Sequence, residues 1–158
     1  MTAGPNRSWL QGVVATPLGD VPRVTTGITW RDRLGALRVR CAVGRMDYRV
    51  EPGLYAVGQP TAQSPVFVSA NYKLSFDHLR RGLAGLDGWI LLLDTDGVNV
   101  WCAAGKGTFG TDELVRRVEL AELSRVVTHR SIGDVRRVGI YAGGVASPPT
   151  ALGLGADI

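Results

Sequence analysis

The apolar positions of this chain fall into segments of distinct period. Val39 to Val43 alternates as a strand does and takes Cys41 into a buried structural position, while Pro65 to Ala70, carrying Val66, Phe67 and Val68, predicts a second, buried strand. Tyr72, Phe76, Leu79, Leu83 and Leu86 then recur at helical spacing, with Ser75 ahead of Asp77 as the expected N-terminal cap. Gly88 to Asp94 contains the run Trp-Ile-Leu-Leu-Leu, which predicts a central strand buried on both faces. Asp94-Thr95-Asp96-Gly97 has turn chemistry, Val98 to Trp101 is a short extended piece, and Thr111 is expected to cap a helix whose first turn holds Asp112 and Glu113. Leu114, Val115 and Val118 form the apolar face of that helix, and Val126 to Thr128 predicts one more strand.

Strand, helix, strand and helix in this order imply parallel pairing through crossovers. The expected fold is therefore α/β, a Rossmann-like, mostly parallel sheet flanked by helices. Ligands of such sheets gather at the carboxyl ends of strands, here Ser69-Ala70-Asn71 and the segment that follows Asp94. Residues 1–33, rich in Pro, Gly and Thr, are expected to form an N-terminal extension without catalytic signal, in which Trp9 and Trp30 pack locally or against the domain. Residues 131–158 end in a Pro, Ala and Gly-rich stretch and are expected to form a flexible tail.

Composition narrows the class. With 158 residues, 45% hydrophobic and 20% charged, the chain can bury the core of one globular domain. Cys41 and Cys102 offer neither a disulfide framework nor a paired metal motif, so the expectation is a reducing, cytoplasmic setting and no iron–sulfur cluster held by this chain. The net charge of +4 is carried by scattered arginines without interleaved aromatic residues, which argues against nucleic-acid binding. The strongly apolar run Trp89 to Leu93 is far short of the ~18 residues of a membrane span.

Chemistry concentrates in Asn99 to Thr111, which reads Asn-Val-Trp-Cys-Ala-Ala-Gly-Lys-Gly-Thr-Phe-Gly-Thr. Cys102 stands where a short helix can begin, and the unpaired N–H groups of a first turn favour a thiolate; Lys106 could add to that effect. Ala103, Ala104, Gly105 and Gly107 leave the backbone bare enough for a large flat partner, which makes Cys102 a candidate soft ligand for a metal held in a planar macrocycle. Gly105-Lys106-Gly107-Thr108 is a poor phosphate-binding loop, since Val100 stands where that loop needs a glycine and Trp101 would fill the cradle. A phosphatase-type nucleophile would want an arginine where Thr108 stands.

The segment Asn-Val-Trp-Cys-Ala-Ala-Gly-Lys-Gly resembles the cap-helix signature of the corrinoid protein of microbial mercury methylation, a relative of the corrinoid iron–sulfur protein of the acetyl-CoA pathway. Gly44-Arg45-Met46-Asp47-Tyr48, Glu51-Pro52-Gly53-Leu54-Tyr55, Ala70-Asn71-Tyr72-Lys73 and Ser75-Phe76 agree with the same family, over roughly residues 34–130. The resemblance implies a corrinoid-binding domain with a cap helix over the ring, flanked by Ser69, Ala70 and Asn71 on one side and by Asn99, Val100, Trp101, Cys102, Ala103, Ala104, Gly105 and Lys106 on the other. Ser69 stands where that family usually has threonine. The sequence lacks the Asp-x-His-x-x-Gly motif through which many corrinoid proteins supply a histidine, and His78 and His129 look like ordinary surface residues. Cys102 is therefore the implied cobalt ligand and catalytic group.

What the resemblance implies of activity is methyl transfer to inorganic Hg(II) from Cys-ligated methylcobalamin, with a methyl-tetrahydrofolate-dependent donor and a ferredoxin-like iron–sulfur reductant as partners. The alternatives within the class are a corrinoid methyl carrier of one-carbon metabolism and a non-catalytic cobalamin-binding fragment. That family carries a C-terminal membrane domain, so this chain reads as a fragment or a truncated form.

Overall fold

The computed structural model describes residues 7–41, 48–99, 102–103, 110–130 and 132–134. Its described elements include strands β1 (Leu10–Thr16) and β2 (Gly19–Val24), helix α1 (Trp30–Arg40), strands β3 (Gly53–Val57) and β4 (Val66–Ala70), helix α2 (Lys73–Gly82), strand β5 (Gly88–Leu93), helices α3 (Thr111–Leu120) and α4 (Leu123–Val126), and strand β6 (Ile132–Asp134). The strands make one sheet in the order β1-β2-β3-β5-β4-β6. β2/β3, β4/β5 and β4/β6 pair parallel, while β1/β2 and β3/β5 pair antiparallel. The expected α/β, mostly parallel sheet is the fold observed.

β4 and β5 lie at the heart of the sheet, and every residue of both is buried. Their unbroken apolar runs follow from being covered on both faces. One face of the sheet carries Phe67, Ile90 and Leu92 into a cluster with Phe76 and Leu79 of α2 and with Leu83 just after it. Alternate residues, Val66, Val68, Leu91 and Leu93, meet Leu123 and Val126 of α4 and the partly buried Leu114 and Val118 of α3. The period of two along the strands thus distributes the helices to opposite faces.

Several sequence expectations change. Val39 does not start a strand: α1 runs to Arg40, and Cys41 follows it directly and is exposed, not buried. A five-residue alternation also satisfies the i, i+4 spacing of a helix, and α1 already carries Leu34, Ala36 and Leu37 into that stretch. Val126 to Thr128 is not a strand either. Leu123–Val126 forms a helical turn, and the strand comes later, at Ile132–Asp134, where a divergent tail was expected. Helix caps shift by small amounts: Tyr72 and Gly110 hold the N-cap positions expected of Ser75 and Thr111.

Much of the expected N-terminal extension is part of the sheet. β1 and β2 form a hairpin along β3, and Trp9 is 6% exposed, edge-on to the rings of Tyr55 and Phe76 at 5.7 and 5.1 Å. Trp30, by contrast, is 67% exposed. Residues 135–158, and with them the expected flexible end, lie outside the described residues.

Candidate functional site at the carboxyl ends of the central strands

Beyond the carboxyl ends of β4 and β5 two loops meet, and one side chain organises both. The Asn71 carbonyl Oδ1 accepts the N–H of Thr95 at 3.1 Å and that of Gly97 at 3.1 Å, and lies 2.9 Å from the Thr95 hydroxyl. That hydroxyl is also 2.7 Å from the Val98 carbonyl, so its single proton is shared between them. Asp96 and Gly97 have φ of 53° and 70°, the left-handed conformations in which an Asp-Gly pair is at home. Asn71 and Thr95 are almost fully buried, and the amide supplies acceptors that a buried turn would otherwise lack.

The other side of this loop is fixed by α3. The backbone N–H of Asp94 donates to Glu113 Oε1 at 2.9 Å, and Arg117 holds the same oxygen at 2.7 Å. Burial alone would raise the Glu113 carboxyl, but the Asp94 N–H together with Arg117 and Arg116 outweighs it and keeps the group below the ordinary glutamate range.

The chain reaches Cys102 through a capped turn. Asn99 Oδ1 accepts the N–H of Cys102 at 2.9 Å while its carbonyl accepts the N–H of Ala103 at 2.8 Å, the arrangement of an N-cap residue at the start of a helix. Cys102 is exposed and Ala103 is fully buried. The expected helical start at Cys102 is thus present. Val100, Trp101, Ala104, Gly105 and Lys106 lie outside the described residues.

Of the expected ring-flanking residues, Ser69 and Ala70 are completely enclosed, and the Ser69 hydroxyl finds no hydrogen-bond partner among the described residues. Asn71 is committed to the loop. These three shape the strand end, and Cys102 is an exposed member of the expected set among the described residues. His78 is exposed on α2, and His129 Nε2 lies 2.9 Å from the Ser64 carbonyl.

Sequence reasoning missed a cleft of about 670 Å³ against the same strand ends, lined by Trp9, Asp32, Tyr48, Arg49, Tyr55, Asn71, Lys73 and Asp94 among others. Cys102 does not line it. Two of its lining residues, Asp32 and Lys73, belong to an ionic cluster: Lys73 Nζ meets Asp32 Oδ1 at 3.1 Å and Asp77 Oδ2 at 2.6 Å, and Arg80 meets Asp32 Oδ2 at 2.9 Å and Asp77 Oδ1 at 2.8 Å. Arg80 also donates to the carbonyls of Thr25 and Gly27, both at 2.6 Å. Burial works to raise the Asp32 carboxyl, yet the Thr29 N–H and hydroxyl and the Lys73 ammonium bring it down to about 2. Burial and the nearby Asp77 and Asp32 push the Tyr48 hydroxyl up to about 12, and burial beside Glu51 does the same for Tyr55.

Comparison with known proteins agrees with the relation to the acetyl-CoA pathway. The chain is 32% identical over 88 residues to the acetyl-CoA decarbonylase/synthase complex subunit gamma of Archaeoglobus fulgidus, covering 54% of this chain and 19% of that protein. It is 36% identical over 92 residues to subunit gamma 2 of Methanosarcina mazei, covering 56% and 20%, and 34% identical over 88 residues to subunit gamma of Methanopyrus kandleri, covering 54% and 19%. The chain spans about a fifth of the length of these relatives. Their names concern acetyl-CoA chemistry and say nothing of mercury. Residues 37–132, from within α1 to the start of β6, match the family described as the CO dehydrogenase/acetyl-CoA synthase delta subunit, and the chain belongs to that family.

Proposed function

We propose that this chain is the corrinoid-carrying domain of a methyl-transfer protein, with Cys102 as the ligand that the protein presents to cobalt. The observation that supports this most directly is the exposed Cys102 in a turn whose start is fixed by Asn99, beyond the carboxyl end of β5. A thiolate is a soft, electron-rich donor suited to a polarisable transition metal, so the donor chemistry fits the group. A corrinoid supplies cobalt that accepts a methyl group from a donor and passes it to an acceptor. Asn99 holds the backbone of Cys102, and the Asn71–Thr95 clamp fixes the loop from which that turn departs. We infer a cytoplasmic setting, where the thiol stays reduced.

The relatives, named as subunits of an acetyl-CoA decarbonylase/synthase complex, support the acetyl-CoA pathway side of the resemblance; on that side the resemblance implies a corrinoid methyl carrier of one-carbon metabolism, served by a methyl-tetrahydrofolate-dependent donor and a ferredoxin-like reductant. A second reading, Hg(II) as acceptor, is favoured by Cys102 itself: a thiolate ligand pushes electron density onto the metal and eases release of the methyl group to a soft electrophile.

The test is the visible absorption spectrum of the purified chain reconstituted with cobalamin, taken on the parent and on Cys102→Ala. A bound corrinoid lacking its benzimidazole ligand is expected, with a spectrum that shifts when Cys102 is removed. Identical spectra would eliminate Cys102 as the ligand, and failure to retain any corrinoid would eliminate the carrier role. Transfer of a labelled methyl group to Hg(II), or only to the acetyl-CoA-forming partner, then separates the two acceptors.

A further inference from the structure

The stretch that carries Cys102 leaves the sheet at the end of β5 and returns in α3, and one side chain joins its two ends. Glu113 Oε1, in the first turn of α3, accepts the N–H of Asp94 at 2.9 Å across 19 residues of sequence. Asn99 and Cys102 lie between these two positions. α3 is itself fixed to the sheet, because Leu114 and Val118 pack on the cluster that contains Leu91 and Leu93 of β5.

The carboxylate is set for this contact by its own helix. Arg117 reaches Oε1 at 2.7 and 3.1 Å, and Arg116 reaches Oε2 at 3.0 Å. A glutamate with arginines three and four residues on is by itself an ordinary helix pair of small effect. The bond to Asp94 is different in kind, since its donor is a backbone N–H at the strand end and no part of α3. Joining the two ends of a chain segment removes conformations from everything between them.

We propose that Glu113 is a positioning residue for Cys102. It closes the base of the Cys102-bearing stretch from the α3 side, as Asn71 holds it from the β4 side, and so limits where the thiol can go. The inference deepens the corrinoid reading and rests on it for its function, since there Cys102 is the cobalt ligand.

The test is the ratio of the alkylation rates of Cys102 and Cys41 by iodoacetamide, in the corrinoid-free full chain under native conditions. Glu113→Ala is expected to shift that ratio roughly threefold or more, and Glu113→Gln, which keeps an acceptor oxygen for the Asp94 N–H, to restore the parent value. Glu119→Ala removes the same charge from an exposed position of α3 and is expected to leave the ratio unchanged. Should Glu113→Ala not fold, Arg117→Ala decides in its place: it frees the carboxylate from its closest holder, and a smaller shift is expected. An unchanged ratio in the deciding variant overturns the proposal. So does an equal shift in Glu113→Gln or Glu119→Ala, which would trace the effect to charge and not to the accepted N–H. The thiols are read without cofactor, so these outcomes bear on Glu113 alone; failure of the corrinoid reading shows separately, as a parent chain that retains no cobalamin.

Discussion

Two polar clusters flank the end of β4, and they are built on opposite principles. Asp32, Lys73, Asp77 and Arg80 are charged, almost fully buried and joined by close ion pairs, and they tie the start of α1 to α2. Asn71 and Thr95 are neutral, equally buried, and joined to backbone N–H groups of the loop that leads to Asn99 and Cys102. Charges fix two rigid helices to each other, where desolvation is met by four partners of balanced sign. The neutral amide shapes a turn whose backbone needs an acceptor more than a charge. The difference separates scaffold from site: one cluster decides whether the domain holds together, the other decides how Cys102 is presented.

That division can be broken experimentally, and the largest effect is expected in the ionic cluster. Arg80→Ala removes one of the two cations that hold both carboxylates and orphans the Thr25 and Gly27 carbonyls; a loss of about 3–5 kcal/mol in urea unfolding is expected. Asn71→Ala leaves the buried N–H groups of Thr95 and Gly97 without their acceptor and is expected to cost about 2–3 kcal/mol. The two should diverge in a second readout. Under native conditions Asn71→Ala changes the alkylation rate of Cys102 severalfold, whereas Arg80→Ala leaves it near the parent value. Equal changes in both variants would erase the distinction between scaffold and site.

Acid sharpens the same comparison. The Asp32 carboxyl is depressed in the folded state to about 2 from an ordinary 3.8, so its contribution is fully present above about pH 4 and is lost as pH falls through about 2. The shift corresponds to about 2 kcal/mol. Stability measured from pH 5 downward should show this slope in the parent and in Asn71→Ala, and a reduced slope in Asp32→Asn. A full slope in Asp32→Asn would show that other carboxylates carry the acid response.

Legibility in the sequence followed the same physical divide. β4, β5, α2 and α3 announce themselves because burial on both faces, or on one helical stripe, leaves a long apolar signature. The hairpin β1/β2 does not: it lies at the sheet edge, most of its residues reach solvent, and Pro22 sits within β2. α1 is obscured by arginines on both sides of its apolar line, which leave no single polar face to read. Asn99 was read as part of a short extended piece and placed at the site only by resemblance; it caps the Cys102 turn instead, through partners three and four residues away. Asn71 was picked out by resemblance, but its work as a clamp depends on partners 24 and 26 residues distant, and the Asp32 network joins residues 41 and 48 apart. No local pattern encodes pairings of that length.

The smallest effect on stability, and the most local, is expected at Asn99. An N-cap asparagine replaced by alanine costs its helix about 1 kcal/mol, but a turn at a strand end opens before the domain unfolds, so global stability should move by less than about 0.5 kcal/mol. The loss falls on the turn that carries Cys102 instead. Cys41 provides the internal control, since it is also exposed but belongs to the end of α1. In Asn99→Ala the alkylation rate of Cys102 should change relative to that of Cys41, and Asn99→Asp, which keeps an acceptor oxygen for the Cys102 N–H, should restore the parent ratio. An unchanged ratio in Asn99→Ala would mean that the cap does not govern the presentation of Cys102, and the division of labour between the two polar clusters would have to stop at Val98.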